Sequence, residues 1–339
     1  MQFNRPQFSL KNIQPKTVDL PEDILQREAM LPGHFPMVYK PAIDGISLGS
    51  WIGDHLADIG ADLKKYGAIL FRGFDVPDRD AFQEVMKAFG EELMSYKDRS
   101  SPRTEISGNL YTSTEHPADQ VINMHNELSY SHTWPLKIAF YCSKQPLERG
   151  ETPIADVRKV LKRLPDALIS SFKQKGILYR RLLQKGVGLS WQEVYQTEDR
   201  AVVEQHCKTY GLNFKWLEKD ALEIKWCRPA IRNHPVTGEE IWFNHGYFFN
   251  FMALAPEIRT AFASMDELPF NTYYGDGSPI EPAFLTAIFE AYRDECVYFP
   301  WVNQDILLMD NMLVAHGRNS FTGAREINVV MMQPFGEHA

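Results

Sequence analysis

The strongest constraint on the fold lies in the last third of the chain. Residues Asp305 to His316 read Asp-Ile-Leu-Leu-Met-Asp-Asn-Met-Leu-Val-Ala-His, and after a polar, glycine-containing loop a second apolar run covers Ile327 to Met332. Two apolar runs joined by such a loop predict a long hairpin of two strands. His316 stands where the first run ends and Arg325 where the second begins, so the hairpin would return Arg325 toward His316. A chain built this way has to fold around a sheet.

Strand signals of the same kind recur upstream. Gly108–Tyr111, Val121–His125 and Leu136–Cys142 are short runs punctuated by Pro and Ser, which predicts antiparallel pairing. Ala221–Cys227, Ala230–Asn233 and Glu240–Asn244 continue the series, with His234-Pro235-Val236-Thr237-Gly238 as a hairpin turn between the last two. Helical spacing appears at Trp51, Ile52, His55, Leu56, Ile59 and Leu63, ahead of Tyr66–Gly73, which reads as a helix end followed by a buried strand, and again over Asp80–Phe89 and Glu281–Glu295. Val157–Leu164, Pro165–Lys175, Trp191–Tyr195 and Arg200–Tyr210 predict a mostly helical insertion over about 157–215, with Ile177–Leu183 as a strand within it. Six prolines before residue 45 predict an N-terminal arm over about 1–45, regular only in a short helix over Glu22–Met30. No repeat, linker or low-complexity tract divides the chain, so residues 1–339 are expected to form one domain.

Composition excludes several classes. With 36 basic and 44 acidic residues the formal charge is −8, and no basic stripe or charge run is present, which argues against a nucleic-acid partner. Nowhere do 18 apolar residues run together, and residues 1–20 hold no apolar core of a signal peptide, so neither a membrane nor a secretory route is expected. The four cysteines, Cys142, Cys207, Cys227 and Cys296, are scattered and form no Cys-x-x-Cys pair, which fits free thiols in the cytoplasm. His206-Cys207 has no second pair nearby and is not taken as a zinc site.

Two patches carry the chemistry. In a strand, residues i and i+2 share a face, so His125 and Glu127 would project together while Asn126 points away. Adding His316 gives two imidazoles and one carboxylate, the facial set typical of non-haem Fe(II) oxygenases, whose open positions admit a cosubstrate and O2. His-x-Glu alone is nearly without information. The distal segment gives it weight, because an arginine at Arg325 offers a planar donor fork to the far carboxylate of a dicarboxylic cosubstrate.

The ordered motifs Gly67-Ala-Ile-Leu-Phe-Arg-Gly-Phe74, Met124-His-Asn-Glu-Leu-Ser-Tyr130, Thr152-Pro-Ile-Ala-Asp156, His234-Pro-x-Thr-Gly238, Trp242-Phe-Asn244 and His316-Gly-Arg-Asn-Ser-Phe-Thr-Gly-x-Arg325 resemble the taurine dioxygenase (TauD/TfdA) family, and within it the clavaminate synthase-like relatives. The resemblance spans most of the chain. It implies an α+β fold with a double-stranded β-helix (jelly-roll) core, flanking helices and the helical insertion. It also implies Fe(II), 2-oxoglutarate and O2, with His125, Glu127 and His316 as metal ligands, and Arg325 and Thr152 as the residues gripping 2-oxoglutarate. Two positions depart from the family's pattern: Glu127 replaces the commoner Asp, and Arg149 stands where relatives often carry a second Gly.

The expected reaction is hydroxylation of a C–H bond in a small amino-acid-like substrate, free or tethered to a carrier protein, within a biosynthetic pathway. Glu127 favours this over halogenation, for which related enzymes lack the carboxylate ligand. The alternatives are a catabolic sulfonate-type dioxygenase and a non-catalytic metabolite-binding jelly-roll protein. Candidate substrate contacts are Asn123, Ser113, Thr114, Arg232, Asn244 and Arg318. His132 is read as a pocket or structural residue, and His234 and His245 as structural.

Overall fold

The structure is a computed structural model that describes residues 24–30, 35–43, 45–95, 105–107, 109–112, 116–186, 188–262 and 264–336. Its largest element is a mixed sheet of eight strands in the order Leu25–Ala29, Met37–Pro41, Ala68–Phe71, Ile306–Asp310, Thr133–Lys144, Glu326–Gly336, Leu110–Thr112 and Glu105–Ser107. Its apolar runs are continuous because both faces are covered. Ile69, Phe71, Ala139, Tyr141, Ile306, Leu308 and Val330 point to one side, where they pack with Trp51, Ile52, Leu63, Phe82 and Met86 of the helices Leu48–Asp54, Leu56–Tyr66 and Arg79–Lys87. Leu70, Ile138, Phe140, Leu307, Met309, Val329 and Met331 point to the other side, into the core shared with the rest of the chain. The alternation follows from the two-residue period of a strand.

The expected hairpin between 305–316 and 327–332 does not form. The apolar run breaks at Asp310: Ile306–Asp310 pairs with Ala68–Phe71 and Thr133–Lys144, whereas Val314–Arg318 lies in a separate three-stranded sheet. The cause is the Asp310 side chain, whose Oδ1 accepts the N–H groups of Met312 at 2.9 Å and Leu313 at 3.1 Å and so turns the backbone out of the ladder. Glu326–Gly336 pairs instead with Thr133–Lys144 and Leu110–Thr112. Gly67 follows the helix Leu56–Tyr66 at φ +78°, and a Cβ there would stand 2.6 Å from Val314 Cγ2, so glycine is required both by conformation and by space.

Three further expectations change. The described part of the N-terminal arm holds two strands, Leu25–Ala29 and Met37–Pro41, rather than a helix; they form the edge of the large sheet, where backbone pairing with Ala68–Phe71 is on offer. The helix expected from Trp51 to Leu63 is two helices, interrupted at His55, whose ring stacks on Trp51 at 4.3 Å and whose Nδ1 lies 2.8 Å from the Trp51 carbonyl. The insertion does contain the helices Val157–Arg163, Asp166–Lys175, Trp191–Tyr195 and Arg200–Thr209, but its strand Ile177–Leu183 sits inside a four-stranded antiparallel sheet with Asn213–Trp216, Leu222–Arg228 and Phe270–Tyr274. The turn at 234–238 joins Ile231–Asn233 to Glu240–Trp242, as its sequence indicates. Among the described residues no helix is long and apolar enough to cross a membrane.

Candidate metal centre

The three-stranded sheet builds the centre. Val314–Arg318 runs between Ile122–His125 and Ile154–Asp156, and its register sets His316 directly opposite His125. Their imidazole centroids stand 4.5 Å apart. Gly317 on the opposite face has no room for a side chain, since a Cβ would lie 2.6 Å from the Ile122 carbonyl oxygen. Glu127 joins them by a different route from the one expected: the strand ends at His125, and Glu127 lies in the turn that follows, just before Leu128 at φ +55°. The strand pleat therefore does not bring His125 and Glu127 together.

One ligand atom from each of His125, Glu127 and His316 lies within 4.8 Å of the others, and all three side chains are buried. His316 Nε2 and Glu127 Oε2 are 3.9 Å apart, too far for a hydrogen bond. His125 Nδ1 lies 2.9 Å from the Asn123 carbonyl, which fixes the proton on Nδ1 and leaves the Nε2 lone pair for a metal. Two imidazole nitrogens and one carboxylate oxygen, buried and close to one point, fit a divalent iron with open positions.

The surroundings are largely aromatic. Phe140 packs 5.0 Å from the His316 ring, and Phe248 packs 4.5 Å from that of His125. His245, 5.3 Å from His125, hydrogen-bonds Ser129 Oγ through Nδ1 at 2.6 Å. Burial, reinforced by the neighbouring His125, holds His245 well below the usual histidine range and keeps it neutral.

A second pole of the site gathers around Thr152. Its buried hydroxyl oxygen accepts from Trp301 Nε1 at 3.1 Å and from Arg325 Nη2 at 3.3 Å, while Arg325 Nε donates to the Gly150 carbonyl at 2.9 Å. With both oxygen lone pairs engaged, the hydroxyl hydrogen has to point elsewhere. The Phe321 ring lies 5.2 Å from the Arg318 guanidinium carbon and 5.5 Å from that of Arg325. Burial, followed by the nearby Arg318 cation, brings Arg325 down to about 10, so it is still charged at neutral pH. A desolvated cation beside an oriented hydroxyl is suited to a carboxylate. Arg149, the residue that departs from the family's glycine, adopts φ +59°, a conformation glycine reaches without strain.

The expected substrate contacts fare differently. Asn123 Nδ2 donates to the Ala253 carbonyl at 3.2 Å, tying the His125 strand to the segment that carries Phe248. Arg318 donates to the carbonyls of His116, Pro117 and Gln120 and fastens that loop. Asn244 bonds the Ala230 carbonyl and the Gly246 N–H, so both ends of its amide serve the backbone rather than a substrate. Arg232 stacks over Trp134 at 4.7 Å and lines a cleft of about 490 Å³ with Pro229, Asn233, Met312 and Phe335; none of the ligand-cluster residues, Thr152 or Arg325 lines that cleft. Ser113 and Thr114 lie outside the described residues. His132 is half-buried, its ring 5.7 Å from that of Tyr210.

Sequence reasoning missed Trp301, Phe140, Phe248 and Asn311. Only Asn311 left a mark in the sequence, as part of the polar pair Asp310-Asn311 inside an apolar run.

Residues 32–332 match the family described as taurine catabolism dioxygenase TauD, TfdA family. The chain belongs to the TauD, TfdA family. It is similar to the dapdiamide synthesis protein DdaC of Enterobacter agglomerans, with 37% identity over 275 residues that cover 80% of this chain and 84% of DdaC. It is 31% identical to a clavaminate synthase-like protein of Arabidopsis thaliana over 276 residues, 78% of this chain and 81% of that one. Among solved structures, PvcB of Pseudomonas aeruginosa shares the fold at a TM-score of 0.57 and 14% identity, over 92% of each chain. PvcB is described as an Fe, alpha-ketoglutarate dependent oxygenase from an isonitrile synthetic pathway. As a TauD, TfdA member, this protein is an Fe(II)- and 2-oxoglutarate-dependent dioxygenase that uses O2 as cosubstrate.

Proposed function

We propose that this dioxygenase hydroxylates a C–H bond of a small amino-acid-like substrate, free or carrier-tethered, in a biosynthetic pathway. The metal would be held by His125, Glu127 and His316, and the far carboxylate of 2-oxoglutarate by Arg325 and Thr152. The observation that carries the reading is the buried convergence of two imidazoles and one carboxylate within 4.8 Å. The naming of DdaC as a dapdiamide synthesis protein supports the biosynthetic part. The eight-stranded sheet and the three-stranded sheet that carries His125 and His316 support a jelly-roll core, and a core cluster running from Phe35 to Met331 supports a single domain. Four free cysteines support a reducing, cytoplasmic setting.

When bound, iron with 2-oxoglutarate and O2 supplies the oxidising power: substrate C–H, 2-oxoglutarate and O2 become C–OH, succinate and CO2. The chain's own residues supply position and exclusion of water. Arg325 neutralises the distal carboxylate of 2-oxoglutarate, and the Thr152 hydroxyl donates to it. Asn123 holds the tautomer that leaves His125 Nε2 open. Phe140, Phe248 and neutral His245 keep competing water and protons from the centre.

The test is an anaerobic titration of the Fe(II)-loaded protein with 2-oxoglutarate, followed by an aerobic screen of amino acids, free and carrier-bound, for a +16 Da product. A visible charge-transfer band that disappears in His316→Ala is expected. Release of sulfite from an alkyl sulfonate, with no product from any amino acid, would replace this reading by the catabolic one. Absence of both the band and O2-dependent succinate would remove the proposed site.

A further inference from the structure

We infer that Asn311 is a positioning residue for Glu127, its side-chain amide standing in for the strand neighbour that Glu127 lacks. The inference rests on the reading of Glu127 as a metal ligand.

The ladder between Ile122–His125 and Val314–Arg318 stops at the His125–His316 pair, so Glu127 extends past its support. The turn has backbone bonds of its own, from the Ser129 N–H to the Asn126 carbonyl and from the Ser131 N–H to the Leu128 carbonyl, but neither engages the Glu127 backbone, and a facial metal site needs the Glu127 oxygen held in place. Asn311 supplies the hold. Its Oδ1 accepts the Glu127 N–H at 2.8 Å, and its Nδ2 donates to the Glu127 carbonyl at 3.0 Å and to the Pro135 carbonyl at 2.9 Å. One donor and one acceptor meeting the N–H and C=O of a single residue is what a neighbouring strand offers. The grip is reciprocal, because Asn126 Nδ2 donates to the Asn311 carbonyl at 2.7 Å. Asn311 is fully buried, so no water competes for these bonds.

The clamp is itself anchored. Asn311 N–H donates to the Leu136 carbonyl at 2.8 Å, and Asp310 N–H to that of Gly67 at 2.9 Å. Asp310 Oδ2 faces His234 Nε2 at 3.1 Å, and His234 Nδ1 accepts the N–H groups of Val236 and Thr237, which places the His234 proton on Nε2. The same turn opens the strand that carries His316 five residues after Asn311. His316 itself is set by its strand pairing with His125 and Ile154, so the side chain of Asn311 serves Glu127 alone among the three ligands. This gives buried His234 a task, as an outer support of the metal face.

The test uses Ni(II), which imidazoles bind strongly enough for a two-histidine site to remain measurable. Calorimetric titrations compare wild type, Asn311→Ala, Glu127→Ala and the double variant, with circular dichroism confirming the fold of each. Loss of a group that orients a ligand weakens metal binding on the order of 10- to 100-fold, and that is the effect expected for Asn311→Ala in the wild-type background. In the Glu127→Ala background the same substitution should change affinity less than twofold, because no carboxylate is left to position. Equal weakening in both backgrounds would make Asn311 a general structural residue and overturn the inference, as would no weakening in either. Asn311→Asp, which keeps the acceptor but turns an oxygen toward two carbonyls, should behave like Asn311→Ala and replaces it if the alanine variant does not fold. A wild type that binds no Ni(II) would sink the metal reading itself, an outcome distinct from a wild type that binds while the variants fail to couple.

Discussion

The Thr152 pole lends itself to a quantitative test. Thr152→Val keeps the shape of the side chain and deletes the hydroxyl that two donors fix in place, Trp301 Nε1 at 3.1 Å and Arg325 Nη2 at 3.3 Å. A hydrogen bond to a charged group contributes about 1.5–3 kcal/mol, so the affinity for 2-oxoglutarate should fall about tenfold to a hundredfold. Trp301→Phe leaves the hydroxyl and removes only one of the bonds that orient it. Its effect is bounded by a neutral hydrogen bond of about 1 kcal/mol, or about fivefold. Because the indole would act only through the Thr152 oxygen, the two effects should not add: in the Thr152→Val background, Trp301→Phe should change nothing further. The assay is anaerobic titration of the Fe(II) protein with 2-oxoglutarate, read by the visible charge-transfer absorption. Additive losses would show that Trp301 touches the cosubstrate or shapes the pocket directly, and an unaffected Thr152→Val would refute the role given to the hydroxyl.

Other expectations concern stability and reactivity. Arg72 grips Asp305, a carboxylate with no exposure, through Nε at 2.9 Å and Nη2 at 2.6 Å, and burial raises the Asp305 pKa even with this partner present. Arg72→Met should therefore cost about 3–5 kcal/mol in urea unfolding at neutral pH. A raised folded-state carboxyl pKa destabilises the fold fully above that pKa and not at all below the unfolded value, so the loss should shrink as pH falls into the acid range; a pH-independent loss would contradict the buried-charge explanation. Burial raises the Cys227 thiol too, but Cys227 is exposed, whereas burial and Asp305 push Cys142 up to about 12 and burial pushes Cys296 up to about 11. Alkylation at mild pH, mapped by peptide mass, should find Cys227 first and Cys142 only after unfolding; early labelling of Cys142 would mean that the core opens around Arg325.

Much of this molecule was legible in its residues because local period and motif order survive folding. The helices Arg79–Lys87 and Pro282–Glu295 follow their apolar stripes, and the residues His125, Glu127 and His316 converge. What was not legible depended on side chains acting on distant backbone. The run 305–316 reads as one strand because apolar residues flank Asp310-Asn311 on both sides; the Asp310 side chain, bonding two N–H groups, splits it between two sheets. For the same reason the sequence around Glu127 reads as strand: nothing in Met-His-Asn-Glu announces that the ladder ends at His125, or that an asparagine 184 positions away takes over. Leu25–Ala29 reads as helix locally and becomes a strand because a sheet edge is available to it. Trp301 gave no signal, since one tryptophan in a loop carries no period.

The pairing of His125 with His316 also fixes when this centre can come into being. The two histidines are nearly two hundred residues apart in the chain, and the clamp that holds Glu127 arrives with the second of them. As the chain leaves the ribosome, its first 300 residues present an imidazole and a carboxylate without their partner, and closing so long a loop is slow compared with local helix formation. If His316 is a ligand as proposed, iron would be loaded by a finished polypeptide, and truncation before Val314 would leave a chain with most of its sequence and an incomplete ligand set.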